Sequence, residues 1–570
     1  MRPGAAAEVR SGIRNSFLFL AAGFLFFLWR FFFLQVVRHD QSVRQAKSLQ
    51  VRTWKLPAPR GTIYDRNGQA LARSLPSSSI FADPLLIADP RRVSKKLAPI
   101  LGLSQEELWR RLSRPGRFVW LRRRAPRSVV ENILKMRTPG LGVMREMGRL
   151  YPQGPVAAHV LGFVNNENTG ASGIELALNR VLAGRDGKLS VQVDALGYSL
   201  PGKRRNISAP LRGRDVHLTL DLDLQRIAET ALAQAVKDWS ALGGTVLIMD
   251  PTTGEILALA CWPPFDPNRY AAYPAKWWLN SAVSCPYEPG SVFKIVAATA
   301  AIEEGVARPG QPIICCHGQQ QIANRVIHCV VHGTGGHGTL DVVGIVVKSC
   351  NLGAGELARR VGRERLYRYI MRFGFGRATN LGLLAEANGW VSKPSGWTPV
   401  VLANVAFGQS VTVTAPQLLA AYCSTANGGL LPWPHLIRSV EGRDGDRGLA
   451  LRPVTTRVCS RKTADLMSRI LQRAVIKGTG KAAQVPGYRV AGKTGTAQKP
   501  TPEAGFRSGK YIASFVGYLP GPRPRVAILV TLDEPHGGYY GGVVAAPVFK
   551  TIASQAMSHL GIPPLSGRGD

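Results

Sequence analysis

Acidic residues are scarce in this chain. Only 36 Asp and Glu stand against 72 Lys and Arg, a formal net charge of +36 over 570 residues. Such a surplus suits a nucleic acid, an anionic membrane surface or a polyanionic polymer as partner. No nucleic-acid-binding module accompanies it, and the arginines are spread along the chain, so nucleic acid is set aside. Cysteine is sparse too. Eight in this length make no disulfide framework, and no C-x-x-C pair of the structural-zinc type occurs. Cys315, Cys316 and Cys329 do gather with His317, His328, His332 and His337. A metal site, one disulfide from Cys329 to Cys315 or Cys316, and no special role all remain open, and no metal ligand or cofactor is assigned. Long low-complexity tracts are missing, which argues against disorder. The length predicts more than one domain.

Long apolar runs are limited to one, Ser16 to Val37, broken only by Arg30. As a helix it spans the roughly 30 Å hydrocarbon core of a bilayer. Arg30 either snorkels to the far interface or faces a partner helix. Arg2, Arg10 and Arg14 place the N-terminus in the cytoplasm by the positive-inside rule. A cleaved signal peptide is the alternative, but no small-x-small site follows; the chain reads Gln35-Val36-Val37-Arg38-His39-Asp40. The expectation is a cytoplasmic tail over 1–15, an uncleaved anchor over 16–37, and everything later on the outer face.

Beyond the anchor, His39 to Lys55 reads as a solvated helix or linker. Asn67-Gly68 between β-prone flanks predicts a two-residue hairpin turn with both residues at φ > 0. Ser104-Gln105-Glu106-Glu107 predicts a capping box opening a helix. The arginines at 110, 111, 114, 117, 122, 123, 124 and 127 read as a solvated face, and His159 as structural. Short β-prone runs fill Asp186 to Thr219, Leu222 to Val236 has helical periodicity, and Thr245–Asp250 with Gly254–Ala260 reads as two strands. The main boundary is placed near residue 215, giving a domain over 38–215, another over 216–560, and a flexible tail over 561–570.

Chemistry is concentrated in Glu288-Pro289-Gly290-Ser291-Val292-Phe293-Lys294, which opens the apolar run Ile295 to Ile302. Pro and Gly break the chain and a buried helix follows. Ser291 and Lys294, three apart, share one helix face. The helix N-terminus favours a serine alkoxide, and a lysine in an apolar pocket sheds its proton easily enough to act as base. Ser-x-x-Lys alone is a common chance match. Ser349-Cys350-Asn351 follows, and then Lys493-Thr494-Gly495-Thr496, placed between the β-prone Tyr488 to Val490 and a loop. Ser-x-Asn and Lys-Thr-Gly are weak signals separately. In this order, within about two hundred residues, the three mark active-site serine acyltransferases of the penicillin-binding type.

The chain resembles a class B penicillin-binding protein, a membrane-anchored peptidoglycan D,D-transpeptidase. The Glu288 to Lys294 stretch is close to that family's nucleophile box. Arg60-Gly61-Thr62-Ile63-Tyr64-Asp65-Arg66-Asn67-Gly68, the Arg149 to Gly154 stretch and Gly173-Ile174-Glu175 resemble the boxes of its non-catalytic domain. Around Ser349 to Ala354, Phe373-Gly374-Phe375-Gly376 and Gly408-Gln409, the wording is closer to the division-specific branch. Two departures stand out: Thr379-Asn380 where the family usually has Thr-Gly, and Ala385-Glu386 where it has Gly-Glu. Asn tolerates left-handed backbone, whereas Ala385 alters what its loop can do.

The resemblance implies an α/β (α+β) multidomain fold: one transmembrane helix, an elongated pedestal, and a β-lactamase-like transpeptidase domain with an antiparallel sheet flanked by helices. It implies Ser291 as nucleophile, Lys294 as its base, Ser349 as proton relay and Lys493 as the charge near the substrate carboxylate. Asn351, Thr494, Gly495 and Thr496 would bind substrate. Implied partners are peptidoglycan stem peptides, β-lactams, the inner membrane, a membrane glycosyltransferase of the SEDS type and division-complex proteins. Rival readings are an elongation-type transpeptidase, a β-lactam sensor, a degenerate scaffold, and a hydrolase in which Glu386 activates water.

Overall fold

The computed structural model describes residues 3–41, 43–44, 51–193, 199–331, 333, 335–442, 448–450, 453–499, 509–519 and 524–564. His332 and the last six residues of the expected tail lie outside them. The chain divides into two compact units, Met1–Ala58 with Arg185–Leu211, and Pro59–Gly184 with Arg212–Asp570.

The first unit holds the helix Pro3–Phe32, which runs on through a π-helical turn, Phe33–Val37. Its span Arg10–Val37 is long and apolar enough to cross a membrane. The unit also contains a three-stranded sheet with Gly187–Val193 between Val51–Leu56 and Ser199–Ser208. Val51–Leu56 corrects the reading of His39 to Lys55 as helix or linker. Its antiparallel partner lies about 130 to 140 residues downstream (Leu56 opposite Gly187, Val51 opposite Gln192), beyond any local pattern.

The second unit is built on two sheets. In the first, Val216–Leu218 pairs in parallel with Ile63–Tyr64 and antiparallel with Ile437–Val440, so it ties chain segments on both sides of residue 215 into one ladder. The hairpin after Tyr64 is present but its turn differs from expectation. Only Gly68 has a left-handed backbone (φ 83°); Asp65 N donates to Gln69 O across a three-residue loop, and Asp65 Oδ1 accepts from the amides of Asn67 and Gln69. The Asp65 carboxylate thus selects the longer turn over the two-residue form. At the helix Gln105–Leu112, Ser104 Oγ caps Glu107 N, while the Glu107 carboxylate turns to Arg111 instead of closing the box.

The arginine run is only partly solvated. Arg122 donates to Leu101 O (2.7 Å), Arg111 to Leu121 O (2.9 Å), and Arg123 pairs with Glu146 (2.7 Å). The three boxes seen in the sequence meet at one buried carboxylate. Glu175 receives Arg60 Nη2 at 2.7 Å on one oxygen and Arg149 Nε at 2.5 Å on the other, all three side chains fully buried. Arg149 Nη1 also donates to Gly61 O (2.7 Å), and a Cβ on Gly61 would sit 1.8 Å from Arg214 O.

The second sheet has five strands in the order Ile256–Trp262, Gly243–Met249, Val526–Asp533, Tyr511–Leu519, Ala491–Gln498, all antiparallel. Alternate residues face opposite ways. Val246, Ile248, Phe515 and Val530 pack with Leu222–Asp238 and Ala546–His559; Leu247, Met249, Val516 and Leu529 pack with Ala415–Ala426 on the other face. The helix Lys294–Glu303 is apolar all round and buried along almost its whole length, as a central core helix must be.

Candidate active site

The backbone around Ser291 is fixed before any side chain acts. Gly290 adopts φ 61°, and a Cβ there would lie 2.9 Å from Thr496 O. Its N–H donates to Gly408 O at 3.0 Å. Ser291 occupies a 3-10 turn, Gly290–Phe293, and Lys294 begins the α-helix proper. Tyr422, buried beneath, donates its hydroxyl to Val292 O (2.8 Å) and holds the turn from below.

Lys294 is 1% exposed. Its Nζ lies 2.8 Å from Ser291 Oγ, 2.7 Å from Ser349 O, 3.1 Å from Ser349 Oγ and 2.7 Å from Asn351 Oδ1. No carboxylate is among these partners. Burial therefore lowers its pKa from 10.5 to about 8. A group so placed is within reach to exchange a proton with Ser291. Ser349 links the helices Val342–Val347 and Asn351–Val361 with a left-handed backbone, φ 59°, a conformation costing roughly 1–2 kcal/mol in a residue with a Cβ. That turn points its hydroxyl at both lysines.

Lys493 is equally enclosed, 2% exposed, with Nζ 3.0 Å from Ser349 Oγ and 3.2 Å from Thr494 O. Burial and the charge of Lys294 hold its pKa well below the usual lysine value. Each ammonium is about 3 Å from Ser349 Oγ, so the two are at most about 6 Å apart, where like charges repel by roughly 3 kcal/mol at an effective dielectric of 20. The two lysines therefore disfavour carrying their protons at the same time. Lys493 to Thr496 lie within the strand Ala491–Gln498, which corrects the placement between Tyr488 to Val490 and a loop. Small residues hid the strand: a Cβ on Gly495 would stand 2.3 Å from Ser514 Oγ and 3.0 Å from Pro289 O. Strand and nucleophile turn touch there.

Ser291, Ser349, Asn351, Thr494 and Thr496 open on one cleft of about 520 Å³, with Lys294 and Lys493 in its floor. Thr479, Lys481, Tyr540 and Gly541 also line it and were missed in the sequence. Thr479 Oγ1 lies 2.6 Å from Thr494 Oγ1, and Thr496 Oγ1 accepts from Gly541 N at 3.1 Å. A lone threonine in a Gly-rich turn carries no signal of this.

Glu386 is fully engaged elsewhere. Its carboxylate accepts from Thr379 Oγ1 (2.8 Å), Asn380 N (2.9 Å) and Leu381 N (2.7 Å), a clasp on the loop that holds both departures. Asn380 and Ala385 both take left-handed backbone, φ 55° and 64°, so the loop keeps the conformation glycine would have given it. His159 is buried against Trp277 O (3.0 Å) and pushed down to about 4, a neutral structural group. Among the described residues no disulfide forms, and Cys315 is exposed. Cys316, Cys329 and His337 converge, joined by Cys350 from within the Ser349-Cys350-Asn351 motif.

Comparison with known proteins accounts for both modules. Residues 244–554 match the penicillin-binding protein transpeptidase domain and residues 55–218 the penicillin-binding protein dimerisation domain. The chain is 32% identical over 563 residues to stage V sporulation protein D of Bacillus subtilis, covering 98% of this chain and 87% of that one. It is 31% identical over 563 residues to peptidoglycan D,D-transpeptidase FtsI of Escherichia coli K12, covering 96% and 91%. The crystal structure of penicillin-binding protein 3 from Mycobacterium tuberculosis complexed with aztreonam superposes with a TM-score of 0.70 at 30% identity, over 91% of this chain and all of the other. Matched in both modules and along nearly its whole length, the chain belongs to the class B penicillin-binding proteins, the peptidoglycan D,D-transpeptidase family.

Proposed function

We propose that Ser291 attacks the carbonyl of the penultimate D-Ala in a donor stem peptide and that Lys294 takes its proton. The observation carrying this is Lys294 Nζ, buried and with no carboxylate among its hydrogen-bond partners, 2.8 Å from Ser291 Oγ. Backbone N–H groups of Ser291 and Thr496 stabilise the oxyanion, each such donor contributing roughly 2.7–4 kcal/mol in related chemistry. Ser349, within reach of both lysines, relays a proton to the departing D-Ala; Asn351 holds the donor's amide. The substrate carboxylate settles beside Lys493, Thr494 and Thr496, restores the Lys493 charge, and leaves Lys294 neutral for the next proton transfer. A second stem peptide's amine then displaces Ser291 and the crosslink forms. A β-lactam acylates Ser291 by the same path and leaves slowly.

The same reading makes 16–37 a single-pass inner-membrane anchor, 38–215 a pedestal and 216–560 the catalytic domain. It assigns the enzyme to septal wall synthesis beside a SEDS-type glycosyltransferase and the division complex, on the division-type wording around Ser349 and Gly408 and the FtsI relative. Fluorescent penicillin should label the full chain and leave Ser291→Ala unlabelled, with the adduct on the Ser291 peptide by mass. Equal behaviour of the two proteins would remove the acylation claim. Depletion should give long filaments; round, swollen cells would favour the elongation role.

A further inference from the structure

The strands bearing the Cys/His residues are poorly supported by packing. Ile314–Cys316 pairs with Gly338–Leu340, and Gln319–Ile322 with Arg325–His328, each ladder three or four residues long and mostly exposed. Two-stranded ladders of this size are marginal without an extra tie. At their base three thiols and an imidazole converge from four separate segments: Cys316, Cys329, His337 and Cys350, with all four ligand atoms within 4.8 Å of one another. The three cysteines are buried and His337 is half-buried.

The separations carry chemical information. Cys329 Sγ lies 3.7 Å from Cys350 Sγ; His337 Nδ1 lies 3.7 Å from Cys316 Sγ and 3.5 Å from Cys329 Sγ. A tetrahedron with Zn–S of about 2.3 Å and Zn–N of about 2.0–2.1 Å has S–S and S–N edges of about 3.8 and 3.6 Å. Cys350 Sγ also accepts from Gly353 N at 3.3 Å, as first-turn acceptor of the helix Asn351–Val361, which supplies the outer hydrogen bond metal-bound sulfur usually has.

We propose that Cys316, Cys329, His337 and Cys350 form a structural Cys3His zinc site bracing the wall of the cleft that carries Ser349 and Asn351. Three thiolates and one imidazole suit zinc, and hard oxygen-seeking cations find no ligands here. On binding, the cysteine thiols release their protons to solvent and the ion takes up four protein ligands, leaving no open position for catalysis. The brace reaches the cleft directly. Cys350 sits between Ser349 and Asn351, and Asn351 Nδ2 donates to His328 O (3.1 Å), one residue from Cys329. The ion thereby stabilises the left-handed turn at Ser349.

The test uses the full chain purified in detergent without added metal or chelator. Elemental analysis should find about one zinc per chain, and a strong chelator should lower both the melting temperature and the rate of β-lactam acylation, with zinc restoring them. His337→Ala should lose the metal, whereas His337→Cys, which keeps four zinc ligands, should retain it; this pair separates ligation from folding. Three results overturn the proposal: wild-type protein that neither contains zinc nor takes it up against a chromophoric chelator, a Cys329–Cys350 disulfide in freshly purified protein, or His337→Ala holding as much zinc as wild type.

Discussion

The pH dependence of acylation follows from the burial of one amine. Lys294 must be neutral to take the Ser291 proton, and its pKa of about 8 leaves about one tenth of the protein competent at pH 7 and one hundredth at pH 6. A solvated lysine near 10.5 would leave far less, and the displacement corresponds to about 3 kcal/mol of the barrier. The second-order rate constant for acylation by a chromogenic cephalosporin, which reports the free enzyme and is followed by stopped flow from pH 6 to 9, should rise about tenfold per unit, bend near pH 8, and gain about fiftyfold between pH 6 and 8. The sign can be checked through stability. The folded state binds fewer protons than the unfolded state between about 8 and 10.5, so this group's contribution to stability rises with pH through that window. Lys294→Arg keeps the charge but has no accessible neutral form, and acylation should fall by about 10²–10⁴. A profile flat from pH 6 to 9, or an active Lys294→Arg enzyme, refutes the neutral-lysine mechanism.

Other expectations test separate parts of the fold. Glu175→Ala strands two buried guanidinium groups and should cost about 3–5 kcal/mol, read as a large drop in melting temperature; a change under about 0.5 kcal/mol would mean the buried cluster is not cohesive. Ala385→Gly removes a Cβ from left-handed backbone and should raise stability by up to about 1 kcal/mol, whereas a loss would show the Ala385 methyl to be packed usefully. Glu386→Gln should loosen its loop yet leave the acyl-enzyme lifetime within about twofold, because the carboxylate serves backbone donors; a markedly longer lifetime would restore Glu386 as a water-activating base. Gly495→Ala pushes the strand off the nucleophile turn, and acylation should drop by about 10² with the fold intact by circular dichroism.

What the sequence disclosed depended on whether a feature was local. The helix opened by Lys294, the strands around Val246 and Leu257, and the order of the three catalytic motifs are legible because each rests on short-range pattern or spacing. The pedestal boxes were visible as words, but not their syntax. Arg60, Arg149 and Glu175 are up to 115 residues apart, and only folding reveals that they are one charge cluster. Val51–Leu56 and the Lys493 strand escaped for related reasons, a distant partner in one case and small, unpatterned residues in the other.

Cys350 shows the same limit at the centre of the site. In sequence it is the variable letter between Ser349 and Asn351, and the Cys/His cluster ends at His337, thirteen residues earlier. In the fold it is a ligand candidate on the catalytic wall itself, and it connects the exposed hairpins to the strained turn at Ser349. A turn that costs energy persists only where its surroundings over-determine it. Here the helix Asn351–Val361, Lys294 on the carbonyl of Ser349, and Lys493 on its hydroxyl supply three constraints. A four-ligand clasp through Cys350 adds a fourth from the opposite side. Removing the metal should therefore act on acylation through Ser349 and Asn351, lowering the acylation rate constant more than β-lactam binding.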